Sequence, residues 1–226
     1  MSGHGEIGSE CRERVVLIFD NVSVNRSGRS LFEPISFALK PGQVFTIQGP
    51  SGLGKSTLLQ ALIQPEDSVE LSGQVTMDGR AMDPIERLAL YSQTVFQDPL
   101  LFAHLSIGAN IALSLNRYDQ AQRTARIKAL LEQLGLTGMI AGDPFQLSRG
   151  QMMRVSVARA LAPHPKVILL DEPFSALDAL TRQQVQSVLF DQVKADEGYG
   201  ILVTHHTEDR PPDGECVCLT PFSSGG

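Results

Sequence analysis

The stretch Gly49-Pro50-Ser51-Gly52-Leu53-Gly54-Lys55-Ser56-Thr57 constrains this chain more than any other. Its G-x-x-x-x-G-K-[ST] spacing wraps a backbone loop around nucleotide phosphates, and it works only between an entering strand and a leaving helix. Glycines allow backbone conformations closed to other residues and let N–H groups approach phosphate oxygens. Lys55 adds a positive point charge for the β- and γ-phosphates. Ser56 offers a hydroxyl to Mg²⁺, and the helix after it presents its positive end. The flanks fit: Gln43 to Gln48 predicts the strand, and Ser56 to Gln64 predicts a helix stopped by Pro65. A chance match is the bland alternative, and the two flanks tell against it. The loop implies a bound nucleoside triphosphate.

With 226 residues and 42% hydrophobic content, the chain can bury the core of one large domain or two small lobes. Its longest apolar run, Val15 to Phe19, is far short of the ~20 residues needed to cross a bilayer, so it is not expected to span one. Met1 to Arg14 is polar and reads as a loose tail rather than a secretory signal, and Pro221 to Gly226 reads as a frayed end. Cys11, Cys216 and Cys218 are too few for a disulfide framework, and Cys216-x-Cys218 lacks the second pair a zinc site needs. A net charge of −6 with both signs interspersed gives no footprint for nucleic acid.

From Val15 to Lys40, short strands broken by Asn25-Arg26-Ser27-Gly28 predict an antiparallel β layer. Between Asp98 and Gln146 the signals turn helical. Asp119 is a candidate N-cap, Ile127, Leu130, Leu131 and Leu134 form an apolar stripe, and Gly135 is the stop. Ser148 can cap a helix to about Leu161, and Val167 to Leu170 and Gly200 to Thr204 read as buried strands. The expectation is one domain over residues 15–220, with a helical lobe at about 98–160 inserted into an α/β core.

Hydrolysis needs a second metal contact and a group that orients and deprotonates water. Asp171-Glu172, ending a strand parallel to the one that feeds the loop, would set Asp171 beside the metal and Glu172 on the γ-phosphate side. The bland alternative has one of them capping a helix after Pro173. Ser148 as an ordinary N-cap and His205 as a satisfied strand-end histidine are the corresponding alternatives there.

From about Val15 to His205 the chain resembles the ATP-binding cassette family, the engine subunits of ABC transporters, in their bacterial importer type. Phe96-Gln97-Asp98-Pro99 resembles its Q-loop, which implies that Gln97 senses the γ-phosphate and Mg²⁺ and hinges the helical lobe. Leu147-Ser148-Arg149-Gly150-Gln151 resembles its signature, which implies that Ser148, Gly150 and Gln151 contact ATP on the other subunit. Ser175-Ala176-Leu177-Asp178 resembles the D-loop, with Asp178 communicating across the dimer, and His205 falls at the switch histidine, leaving Glu172 as the base.

The resemblance implies a P-loop NTPase core of α/β class with an N-terminal antiparallel β layer and an inserted helical subdomain. It implies a homodimer with two ATP and Mg²⁺ at the interface, integral permease subunits as partners, and a cytoplasmic place on the inner face of the membrane. Leu101 to Ile111 would border the groove for the permease's coupling helix, and a substrate-binding protein is a further candidate partner. Three positions depart from the pattern: Arg149 stands for a glycine, His206 for an acidic or amide residue, and Arg26 for an aromatic that stacks on adenine. Pro211-Pro212 closes a short end segment in which no regulatory domain is expected. A soluble cassette ATPase of cofactor assembly is the alternative. A regulatory module without catalysis is disfavoured by the intact Lys55, Asp171, Glu172 and His205.

Overall fold

The computed structural model describes residues 16–64, 66–82 and 86–222. Cys11, the Met1 to Arg14 tail, Pro65 and Ser223 to Gly226 lie outside the described residues. The described elements run β1 (Leu17–Arg26), β2 (Arg29–Ser30), β3 (Ile35–Leu39), β4 (Gln43–Gln48), α1 (Lys55–Ala61), β5 (Val69–Met77), β6 (Arg80–Met82), α2 (Glu86–Tyr91) and β7 (Ser92–Val95). They continue with α3 (Ile107–Ala112), α4 (Gln120–Gln133), α5 (Arg149–Leu161), β8 (Val167–Asp171), α6 (Ala179–Ala195), β9 (Tyr199–Val203) and β10 (Cys216–Cys218).

Two sheets result. The first is antiparallel, ordered β2-β1-β5-β6, with β3 also on β1. Ser27 and Gly28 both take positive φ (52° and 76°) and close a two-residue hairpin with Arg26 opposite Arg29, the turn whose twist suits a hairpin. β1 bulges near Asn21, where the backbone of Gly73 on β5 approaches so closely that a Cβ would strike the Asn21 carbonyl. The second sheet is parallel, ordered β10-β4-β9-β8-β7.

This parallel sheet is the middle layer. β8 and β9 are buried at every position, as parallel strands covered on both faces must be. Alternate residues serve opposite faces: Ile168, Leu170 and Leu202 pack with Leu130, Leu161 and Leu189 of the helices, while Leu169, Ile201 and Val203 pack with Leu58 of α1 and Phe19 of the antiparallel sheet. Phe19, Phe37 and Phe45 stack in series at 4.4 and 4.0 Å, joining β1 and β3 to β4.

Between β7 and β8 the described chain is helical. Asp119 caps α4 in a reciprocal box with Gln122, whose backbone N–H donates to Asp119 Oδ1 at 2.8 Å. Gly135, at φ 67°, comes just after the last turn of that helix.

Two local expectations need correction, and one bland alternative falls. α1 ends at Ala61 rather than Gln64, because its last turn tightens and the Ile63 N–H donates to the Gln60 carbonyl. The helix after Pro173 begins only at Ala179, and its cap is Asp178 rather than Asp171 or Glu172. Pro221 does not fray: it bridges Phe32, with the Glu33 N–H donating to the Thr220 carbonyl at 3.0 Å.

Leu130 is fully buried between the lobe helices. We predict that Leu130→Ala costs about 2–5 kcal/mol, while the volume-conserving Leu130→Met costs less than about 1.5 kcal/mol. Urea unfolding midpoints at unchanged slope read both values.

Candidate nucleotide site

Ile47 of β4, Val203 of β9 and Asp171 of β8 lie opposite one another in a single row. The three strands therefore release the chain from the carboxyl edge of the sheet at the same level: β4 into the Gly49 loop, β9 into Thr204-His205, and β8 into Glu172. β9 runs between β4 and β8, so the histidine emerges between the phosphate loop and the carboxylates. Gln97 lies two residues beyond Val95, which pairs with Leu170, and so stands level with Glu172 one strand further along. Ligands of open α/β sheets bind at this edge.

Gly54 is the N-cap of α1 in a left-handed conformation, φ 93°, and a Cβ there would come within 2.6 Å of Leu31 Cδ1. No acidic residue occupies the first turn of α1. Lys55 is only 5% exposed, and its ammonium donates to the carbonyls of Gly49 and Pro50 at 2.9 Å each, so the loop curls around its own cation. The Ser56 hydroxyl donates to Asp171 Oδ1 at 2.9 Å.

Asp171 is 7% exposed. Burial raises its pKa and outweighs the Ser56 hydrogen bond, which lowers it; the Glu172 charge raises it further and Lys55 lowers it. Glu172 sits at φ 46°, an uncommon conformation for a residue with a side chain, and its N–H donates to the Val203 carbonyl at 2.9 Å. Its Oε1 meets His205 Nδ1 at 2.8 Å. The Gln48 side chain donates to the His206 carbonyl at 3.3 Å, and the His206 N–H donates to Thr204 Oγ1 at 3.0 Å. The sequence motifs single out neither Gln48 nor Thr204; a polar residue ending each of two apolar strands is the signal available.

Lys55, Ser56, Asp171, Glu172 and His205 thus form one cluster. Gln97 is exposed and makes no hydrogen bond among the described residues. The signature residues sit apart, at the head of α5. Ser148 Oγ accepts from the Gln151 N–H at 3.2 Å, and Gln151 Oε1 accepts from the Ser148 N–H at 2.9 Å. Gly150 packs so tightly that a Cβ would lie 3.0 Å from the Ala176 carbonyl oxygen, which seats the signature on the Ser175–Asp178 loop. Asp178 Oδ1 accepts from the Thr181 N–H at 3.1 Å. Arg149 and Arg26 are exposed.

The donor set suits Mg²⁺: a serine hydroxyl and one buried carboxylate, 2.9 Å apart beside a phosphate loop, leave the remaining positions to phosphate and water oxygens. The folded chain holds the Asp171 proton more tightly than the unfolded chain does. The stability from this group is therefore present at acid pH and lost as pH rises through the raised value. We predict that nucleotide-free Asp171→Asn, which keeps an acceptor for Ser56, is more stable than the parent at neutral pH, the advantage vanishing at acid pH. Denaturant midpoints at the two pH values measure it, and a less stable variant at neutral pH would contradict the account.

Among the described residues no helix is long and apolar enough to cross a membrane. A family profile described as ABC transporter matches residues 32–175. The chain is 34% identical over 211 residues to the uncharacterized ABC transporter ATP-binding protein YnjD of Escherichia coli (strain K12), covering 92% of this chain and 97% of that one. It is 39% identical over 180 residues to the aliphatic sulfonates import ATP-binding protein SsuB of Bacillus subtilis (strain 168), covering 80% and 68%. With the spermidine/putrescine import ATP-binding protein PotA of Chromobacterium violaceum it shares 37% identity, but spans only 50% of that protein. The dimeric bacterial ABC transporter cassette MJ0796 superposes with a TM-score of 0.76 at 27% identity, over 90% of this chain and 94% of that one. The chain belongs to the ABC transporter family, as an ATP-binding cassette whose ATP hydrolysis powers transport.

Proposed function

We propose that the chain from about residue 15 to 220 works as one cassette of a homodimer that drives solute import through separate integral permease subunits on the cytoplasmic face of the membrane. The observation that supports this most is the division of the site. Lys55, Ser56, Asp171, Glu172 and His205 cluster at one sheet edge, while Ser148, Gly150 and Gln151 sit on α5 with no hydrogen bond to the phosphate loop among the described residues. A second copy, bringing its signature to this copy's loop, completes two equivalent sites.

In this reading Lys55 exchanges the Gly49 and Pro50 carbonyls for phosphate oxygens, and the loop from Gly49 to Thr57 donates its N–H groups. Ser56, Asp171 and Gln97 would hold Mg²⁺, which supplies charge neutralisation among the phosphates. Glu172 orients water and accepts its proton, and His205, already held by Glu172, turns its other ring nitrogen to the γ-phosphate. Signature donors and Asp178 complete the interface. Contacts to a γ-phosphate that ADP lacks give closure the differential affinity it requires.

A cleft of about 360 Å³ beside the Gln97 loop, bordered by Asp98, Leu100, Phe145 and Met152, is the proposed seat of a permease helix. Phe145 is 79% exposed there. SsuB and PotA are named as import ATP-binding proteins for chemically unlike solutes, which supports import as the direction; in this reading solute choice lies in the partners, with a substrate-binding protein as a further candidate.

The test is capture from gently solubilised membranes with Glu172→Gln protein and Mg-ATP. We expect a closed dimer that retains ATP and brings down an integral membrane protein, with Phe145→Glu abolishing the capture. Only soluble partners would overturn the transport role, and normal turnover by Glu172→Gln would overturn the base. Lys55→Ala should lose at least about tenfold in nucleotide affinity by titration.

A further inference from the structure

Beyond the nucleotide cluster, one buried carboxylate is left without an evident structural reason. Asp209 is 1% exposed, within a short 3₁₀ turn (Thr207–Asp209) that comes directly after the two histidines. Its Oδ2 accepts from the Thr204 hydroxyl at 2.6 Å, and that same Thr204 oxygen accepts the His206 N–H. Asp209 therefore clasps both ends of His205, through the side chain of the residue before it and the backbone of the residue after it.

The second oxygen, Oδ1, has no hydrogen-bond partner, and neither has Arg182 Nε. These two buried atoms face each other at 3.8 Å, just beyond hydrogen-bond reach. Arg182 lies one turn into α6, whose N-cap is Asp178. Its other nitrogens donate to Glu208 Oε1 at 2.9 Å and to the Leu177 carbonyl at 3.5 Å. Gln186, one turn further on, donates to the Glu208 carbonyl at 3.1 Å. The histidine turn and the loop before α6 are thus joined by one guanidinium that faces two carboxylates: its bond to Glu208 is made, and its contact with the buried Asp209 stays open at 3.8 Å.

We infer that Arg182 and Asp209 are positioning residues for ATP hydrolysis: they form a bracket that sets His205 against Glu172 according to the placement of the Leu177–Asp178 loop. A displacement of that loop of under an ångström toward Asp209 closes the 3.8 Å gap, satisfies both unpaired atoms, and tightens Thr204 and His205 over the site. The bracket is open in the single copy and closes when a second copy presses on the loop. Neither residue touches nucleotide; both act through His205, and the inference rests on the role proposed for that histidine.

The test measures kcat, KM for ATP and thermal stability of the full chain. Asp209→Asn keeps an acceptor for Thr204 and removes the charge that draws Arg182. We expect kcat to fall about tenfold, a part of the roughly 10²–10⁴-fold that a positioned acid–base group contributes, while KM and heat stability stay at the parental values or better. Arg182→Gln reads the same contact from the more solvent-exposed side, 18% exposed, should Asp209→Asn not fold. The double variant should be no slower than the slower single one, because both break one link. Parental kcat in stable Asp209→Asn, or losses that multiply in the double variant, overturns the bracket. His205→Ala separates the two levels: if it is slow while Asp209→Asn is fast, only the bracket falls. Fast turnover by His205→Ala removes the histidine's role and the bracket with it.

Discussion

A parallel strand cannot close on its neighbour through a tight turn, so parallel strands are joined by long crossovers, most of them carrying a helix that covers one face of the sheet. Here β10-β4-β9-β8-β7 meets that requirement on one side with α3 to α6 and on the other with α1 backed by the antiparallel sheet. The strands become continuous apolar runs, and the polar chemistry is displaced to the one place such strands can hold it, their carboxyl ends. Lys55, Asp171, Glu172 and His205 occupy that edge because the interior would not accept them.

The edge is expensive to hold in readiness. Lys55 and Asp171 are nearly inaccessible, and burial disfavours the ionised form of the carboxyl. The loop answers with its own carbonyls for the lysine and with the Ser56 hydroxyl for the aspartate. Glu172 adds a left-handed backbone, which turns its side chain off the line of the strand toward His205. Such uncommon geometry is kept where the surroundings fix it: the Val203 carbonyl receives its N–H, and Ser175 donates to its carbonyl.

Legibility in the sequence tracks the range of the interaction. The phosphate loop, the Asp119 box on α4 and the Ser148 cap on α5 are each set by residues a few positions apart, and their signals are local. The apolar runs of β8 and β9 announce burial on both faces. Their order cannot be read from those runs, because the placing of β9 between β4 and β8 depends on which crossover packs where. β10 has no local signal: Cys216-Val217-Cys218 becomes a strand only by pairing with Thr46 to Gln48. Asp209 and Arg182 likewise mean little until the fold sets them face to face.

The reciprocal cap at the head of α5 uses acceptors only: Ser148 Oγ and Gln151 Oε1 each receive a backbone N–H. The serine proton and the Gln151 amide hydrogens stay free to point outward, so this end of the helix shows donors to its surroundings. The phosphate loop, built to offer N–H groups, does the same. Two donor surfaces brought together have nothing to give each other. In the proposed homodimer a group made almost wholly of acceptor oxygens would answer both surfaces at once, so a triphosphate would be the mortar of the assembly as well as its fuel.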